Sequence, residues 1–303
     1  MPTALISRPS RLSPQAGMLL VVLFWAGNFT AAKIAFDDGF AAPAFTAVRF
    51  TLAAIILWFV VRWAEGPAKL PRGAFWPLVA LGVIGNTIYQ ICFMEGLDRT
   101  SATKSSLILA GMPALVTLTA GILGIERVTR AQQVAVLVAT VGVVVVVVGR
   151  GGTMDSGFGK GEMLLLAAVF TWAVYTLLLR HWTLDMSALN LTAWTLYTGT
   201  PGLVLVAIPS LRHMEWHRLS PGAWGGLLYS ALLSLVAAYV LWNRGVATLG
   251  AARTVVYNTI VPLLATVIAM VGLHERPGVI HIVGGALILS GVLLTGRAAA
   301  PEG

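Results

Sequence analysis

Residues 96–118, GLDRTSATKSSLILAGMPALVTL, are echoed by residues 245–267, GVATLGAARTVVYNTIVPLLATV, at a spacing of 149. Carried outward at that spacing, the whole of 73–143 falls on 222–292 without a gap. Gly96 lands on Gly245, Ala102 on Ala251, Pro113 on Pro262, Thr117 on Thr266, Glu126-Arg127 on Glu275-Arg276 and Gly142-Val143 on Gly291-Val292. Each copy belongs to a half that carries five apolar stretches: 17–36, 41–63, 74–94, 103–123 and 131–148, then 161–179, 188–209, 222–243, 252–273 and 279–296. About twenty apolar residues suffice to cross a bilayer as a helix. An odd number of crossings forces the second copy to insert upside down. The sequence therefore predicts an all-α integral membrane protein, ten transmembrane helices in two inverted five-helix repeats, 17–149 and 160–297. Secondary transporters are built this way, with the substrate between the halves.

Composition agrees. The chain has 303 residues, 57% of them hydrophobic and 11% charged, against about 25% charged in a soluble domain. Too little charge is present to cover a water-facing surface. The net charge of +8 is scattered over short loops, as expected of juxtamembrane Lys and Arg, and does not form a nucleic-acid-binding face. The single cysteine, Cys92, rules out an intramolecular disulfide and a cysteine-based metal site. The first apolar stretch is read as a retained span, because no small-residue cleavage site follows it. His213, Glu215 and His217 lack the spacing of a helical zinc site, so no metal is expected, and no nucleotide- or cofactor-binding motif occurs. No His, Asp or Glu cluster converges at depth, which argues against an enzyme. Arg8, Arg11, Arg62, Lys69, Arg72, Arg127 and Arg130 lie on one side of the first half, against Arg99 and Lys104, with Lys33 at a span edge, on the other, while the second half is nearly balanced. That bias places both termini in the cytoplasm.

Polar and aromatic residues at mid-span are the candidate site. At a spacing of 147, Trp25 falls on Trp172, Asn28 on Tyr175 and Lys33 on Arg180. Trp58, Trp63, Trp76, Trp182, Trp216 and Trp224 sit near span ends, where an interfacial aromatic belt is the ordinary reading. Trp25 and Trp172 sit deeper, and either line a cavity or pack helices. The third and eighth spans carry Asn86, Tyr89, Gln90 and Phe93, and Tyr239, Trp242 and Asn243, which offer an amphipathic lining or interhelical hydrogen bonds. Tyr257 and Asn258 follow on the ninth span. Pro113 and Pro262 interrupt equivalent helices, as a hinge pair or as fixed kinks. Lys104 and Arg253 occupy equivalent helix starts, where a carboxylate or a lipid headgroup would be attracted. Arg49 lies roughly 12 Å beyond Ala41 inside the second span and must face a cavity or find partners; it serves as a structural anchor or contacts substrate. The twelve carboxylates sit in loops or at span edges, which predicts facilitated or weakly coupled transport.

The run Phe24-Trp25-Ala26-Gly27-Asn28-Phe29 through Lys33, together with Arg49, the junctions at 96–102 and 245–251, the two prolines and the Glu-Arg pairs, resembles a duplicated EamA domain. Two such domains make a ten-helix carrier of the drug/metabolite transporter superfamily, similar to YddG-type amino-acid exporters of the bacterial inner membrane. The resemblance implies a cavity lined by spans 1, 3, 4, 6, 8 and 9, with spans 5 and 10 peripheral and free to join a second protomer. On this reading the substrate is an amino acid, aromatic or neutral, or a similar small amphipathic metabolite. It would be lined by Trp25, Tyr89, Trp172, Tyr175, Tyr239, Trp242 and Tyr257, with Asn28, Gln90, Asn243 and Asn258 supplying hydrogen bonds. An antiporter of phosphorylated or nucleotide-linked sugars is the alternative within transport, and a non-transport membrane subunit or receptor lies outside it.

Overall fold

The computed structural model describes residues 13–66, 70–122, 129–149, 158–182, 185–249 and 257–298. The helices are α1 (Pro14–Asp37), α2 (Ala42–Ala64), α3 (Phe75–Asp98), α4 (Ala102–Leu109 continued by Met112–Ile122) and α5 (Arg130–Val148). The second half gives α6 (Lys160–Trp182), α7 (Ala188–His213), α8 (Pro221–Leu228, Tyr229–Ala237 and Ala238–Leu249 end to end), α9 (Tyr257–Gly272) and α10 (Val279–Ala298). Among the described residues eight helices are long and apolar enough to span a membrane, and two apolar stretches, Tyr257–Gly272 and Val279–Leu294, are shorter. Ser or Thr precedes many helix starts and satisfies otherwise orphaned N–H groups. Ala16 N donates to Ser13 Oγ, Lys104 N to Ser101 Oγ, and Thr129 and Gln132 exchange bonds as a capping box at α5.

The pairing of helices shows the twofold relation. α1 packs on α8 as α6 packs on α3, α1 on α9 as α6 on α4, and α3 on α7 as α8 on α2. α2 with α7, α4 with α9 and α5 with α10 are self-equivalent pairs. Large apolar side chains that face outward, among them Leu19, Ile55, Phe59, Leu137, Phe170, Leu205 and Ile282, form the lipid-facing surface. Trp63 and Trp76, 83% and 74% exposed, stand at ends of α2 and α3 where a membrane interface would hold them.

Small residues set the closest approaches. A Cβ on Gly82 would lie 2.6 Å from the Thr195 carbonyl oxygen and 2.7 Å from Gly199 N, so α3 and α7 touch backbone to backbone. α5 and α10 do the same: a Cβ on Gly142 would lie 2.7 Å from Gly284 O, and one on Gly291 2.5 Å from Ala135 O. The glycines of α5 and α10 are thus used within the chain. An oligomer through these helices would rest on their outward valines, such as Val141, Val144 and Val283.

Two pairs of irregularities repeat. In α3 the segment Val83–Ile88 is a π-helix, and in α8 so is Tyr229–Ala237. α4 breaks at Ala110-Gly111 and resumes at Met112, so that Pro113 sits in the first turn of the new piece. In α9 a 3-10 turn, Tyr257–Ile260, hands over to Val261–Gly272, with Pro262 again in the first turn. A proline at that place removes an N–H that has no intrahelical acceptor anyway. The chain therefore breaks ahead of each proline and does not bend through it.

Candidate functional site

Arg49 occupies the middle of the bundle and is 1% exposed. Its Nη1 donates to Ser230 Oγ at 2.6 Å and to Asn28 Oδ1 at 3.5 Å, and its Nη2 donates to Gln90 Oε1 at 2.5 Å. Ser230 Oγ donates in turn to Asn28 Oδ1 at 2.6 Å. One side chain each from α1, α2, α3 and α8 thus closes a buried polar cluster. The rings of Phe45 and Phe50 lie 5.7 and 5.3 Å from the guanidinium carbon and add cation–π attraction. All three hydrogen-bond acceptors are neutral, and among the described residues no carboxylate lies within ion-pair distance of Arg49.

Two aromatic walls flank this cluster. In the first, Trp25 of α1 lies 5.2 Å from Trp242 and 6.5 Å from Tyr239 of α8, and its indole N–H donates to Ser234 O at 3.1 Å. Tyr257 packs against the same group. In the second, Trp172 of α6 lies 4.9 Å from Tyr89 of α3 and 5.0 Å from Tyr175, and Tyr89 stacks on Phe93 at 5.8 Å. Tyr89 and Tyr239, one from each wall, are the tyrosines within electrostatic reach of Arg49. The Tyr175 ring lies on Gly85, where a Cβ would be 2.4 Å from the ring. Asn86 is buried beside Gly199 of α7. Asn258 Oδ1 is buried without a hydrogen-bond partner. The side chain of Asn243 and all of Arg253 lie outside the described residues, as do Glu126 and Arg127.

A third group of residues binds one end of the bundle shut, the end opposite the start of α1. Lys104 Nζ is 2.8 Å from Glu162 Oε1, with side chains 0% and 2% exposed. The Thr100 hydroxyl also donates to Glu162 Oε1 at 3.1 Å, and Gly159 N donates to Oε2 at 2.9 Å. Glu275 accepts from the Ala102 and Thr103 N–H groups at 2.7 and 3.0 Å, so a carboxylate from the loop after α9 caps α4. His274, at φ 54, turns the chain immediately before it. Lys33 Nζ donates to Asp98 O at 2.7 Å, and Ser220 N donates to Asp38 Oδ2 at 2.6 Å. Lys104, read from sequence as a helix-start cation open to a carboxylate or a lipid headgroup, is here enclosed and engaged by a carboxylate of the chain itself. In the last turn of α7, His213 meets Pro209 O at 2.8 Å, and in the loop that follows Glu215 pairs with Arg218 at 2.7 Å.

Sequence reasoning brought out Arg49, Asn28, Gln90 and both walls, but not Ser230, Ser234 or Glu162. The two serines are spaced one turn apart in an otherwise apolar span, a signal too small to separate from ordinary helix packing. Glu162 has the sequence context of a first-turn acid. Only the tertiary approach of Lys104 shows that it is buried.

Comparison with known proteins places this arrangement. The model of the EamA-like transporter family matches residues 14–148 and again 159–297. An uncharacterized transporter of Archaeoglobus fulgidus is 30% identical, over 92% of this chain and 95% of its own. The uncharacterized transporter YyaM of Bacillus subtilis is 27% identical over 89% of each chain. A protein of Streptantibioticus cattleyicolor named as a probable terminal-alkyne amino-acid exporter is 29% identical over 92% of each. A crystal structure superposes with a TM-score of 0.64 at 21% identity, covering 96% of this chain and all of the other, which speaks to the fold.

Proposed function

The chain belongs to the EamA-like transporter family, within the drug/metabolite transporter superfamily, and is a multi-pass membrane transporter; from that premise we propose that it exports amino acids, aromatic or neutral, or similar small amphipathic metabolites by alternating access. The observation that carries this reading is the pairing of two aromatic walls around a buried hydrogen-bonding cluster at the junction of the halves. Aromatic faces suit an apolar side chain, and the cluster suits the polar groups of an amino acid. A relative named as an amino-acid exporter supports the same class. The broken helices α4 and α9 are the natural hinges, with Pro113 and Pro262 marking the joints. The end closed by Glu275 and Lys104–Glu162 would be the outer gate in a bacterial inner membrane, with both termini in the cytoplasm.

Coupling to protons is not part of this reading. The two buried carboxylates among the described residues, Glu162 and Glu275, are held by Lys104 and by the start of α4, away from the central cluster. Reconstitution in liposomes with labelled amino acids, with and without a pH gradient, tests the reading. Saturable counterflow of at least one amino acid is expected, with little dependence on the gradient. Absence of counterflow for all twenty would exclude the substrate class, and strong dependence on the gradient would exclude the uncoupled mechanism.

A further inference from the structure

We propose that Arg49 is the binding site for the carboxylate of the transported solute, an assignment that rests on the amino-acid reading above and narrows it to solutes carrying a free acid group. A buried guanidinium is costly to keep without a counter-charge. Arg49 nevertheless has only the neutral oxygens of Ser230, Asn28 and Gln90 and the faces of Phe45 and Phe50. Its donor capacity is not used up. A guanidinium has five N–H donors, Nε is buried without a partner, and Nη2 makes one bond, to Gln90. The Nε–Nη2 edge is the one a carboxylate takes in two parallel bonds.

The surroundings fit an amino acid. Tyr89 belongs to one aromatic wall and Tyr239 to the other, and both interact electrostatically with Arg49, so a solute acid held there would have an aromatic wall to either side for its side chain. Position adds a mechanical consequence. Arg49–Ser230 joins α2 of the first half to α8 of the second, whereas Arg49–Asn28 and Arg49–Gln90 stay within the first half. A carboxylate on the Nε–Nη2 edge competes with the Gln90 amide oxygen for Nη2, and its full negative charge adds an attraction that the neutral amide lacks. The Nη1–Ser230 tie between the halves stays in place, so solute binding rearranges the first-half side of the cluster while the halves remain joined there.

The test compares each acid with its own amide. Liposomes holding the full chain are assayed for counterflow driven by L-phenylalanine, L-phenylalaninamide, L-leucine and L-leucinamide, in wild type, Arg49→Lys, Arg49→Met and Gln90→Ala. In wild type the acids should outperform their amides by about 10- to 100-fold in half-saturating concentration, the range that hydrogen bonds to a charged group supply. Arg49→Met should abolish the difference, so that each acid and its amide reach the same half-saturating concentration in that variant. Arg49→Lys should fall between. Gln90→Ala, which does not depend on the Met variant folding, should improve the acids severalfold and not the amides, because it removes the competitor for Nη2 on the edge that the carboxylate takes. Equal handling of acid and amide by wild type overturns the assignment while leaving amino-acid export standing. So does an Arg49→Met loss shared equally by acid and amide, or a Gln90→Ala loss shared the same way, since each marks a structural tie. Failure of wild type to move any of the twenty amino acids overturns the substrate reading and the assignment with it.

Discussion

In the wall formed by α1 and α8, Trp25 meets Trp242, and Asn28, one turn further on, belongs to the Arg49 cluster. In the equivalent wall formed by α6 and α3, Trp172 meets Tyr89, and the place of Asn28 is taken by Tyr175. The place of Arg49 is taken by Leu196. The aromatic contact across each helix pair is kept by the repeat, and the charge is not. A twofold fold thus carries a motion that treats both halves alike around a binding site that does not.

The ends of the bundle differ in the same sense, and the largest predicted effect lies there. Glu162 is buried against Lys104, whereas its repeat equivalent at a spacing of 147, Gln15, is exposed. Glu162→Gln takes away the carboxylate that engages the enclosed Lys104 ammonium and should lower the unfolding free energy by about 3–5 kcal/mol. Replacing both members, Lys104→Met with Glu162→Leu, should recover part of that loss, because the two apolar side chains need no pairing while Thr100 Oγ1 and Gly159 N lose the acceptor that Glu162 gave them. Gln15→Ala should change stability by less than about 0.5 kcal/mol. Denaturant titration in detergent micelles measures all three. A Glu162→Gln protein as stable as wild type would mean that water reaches Lys104 and that this end is not sealed.

Next in size is the contrast at the centre. Asn28→Ala removes the acceptor shared by Ser230 and Arg49 and should cost about 1–3 kcal/mol, the penalty of leaving a buried donor unmade. Tyr175→Phe removes one hydroxyl from a ring that keeps its packing on Gly85, and should cost about 1 kcal/mol or less. Equal costs in the two halves would show that the polar cluster does not distinguish them.

Packing supplies a smaller effect. Gly82 lets α3 touch α7, whereas its equivalent in α8, where that helix meets α2, is Ala231, fully buried. Gly82→Ala drives a methyl against the backbone of Thr195 and Gly199 and should cost about 1–3 kcal/mol. Ala231→Gly should cost about 0.5–1 kcal/mol through helix entropy alone. Unfolding midpoints in the same micelles separate the two.

How far the sequence announced this molecule depends on the scale of the feature. The repeat and the apolar stretches carry the ten-helix inverted fold, because spacing at 149 and span length are properties of the chain alone. Trp25, Asn28, Arg49, Gln90 and Trp172 stand out because a large or polar group at mid-span is costly unless it is used. The π-helical segments of α3 and α8 left no such mark, since the wider i→i+5 winding alters no composition. The same holds for Ser230 and Glu162. A small hydroxyl and a first-turn acid become informative only when another helix is laid against them, and contacts between residues 181 positions apart, such as Arg49–Ser230, are set by that packing.

The finest difference between the walls is in their tryptophans. Trp25 donates its indole N–H to Ser234 O across the boundary between the halves. Among the described residues the indole N–H of Trp172 donates to no acceptor, so that ring contributes area and stacking only. Trp25→Phe keeps an aromatic face toward Trp242 and gives up the hydrogen bond, and should cost about 0.5–1.5 kcal/mol. Trp172→Phe should cost less, because it gives up only part of the ring. The Ser234 carbonyl lies in the π-helical segment of α8, where backbone acceptors are released from regular pairing. Removing its donor should therefore loosen α8 against α1 and raise amide exchange locally around Ser234. Exchange mapped by mass spectrometry on both variants reads this directly. A rise confined to α8 in Trp25→Phe, with no matching rise in the π-helical segment of α3 in Trp172→Phe, would place the tie between the halves on one wall only. Matched rises would return the two walls to equivalence, and the central charge would then be the sole asymmetry left to account for solute choice.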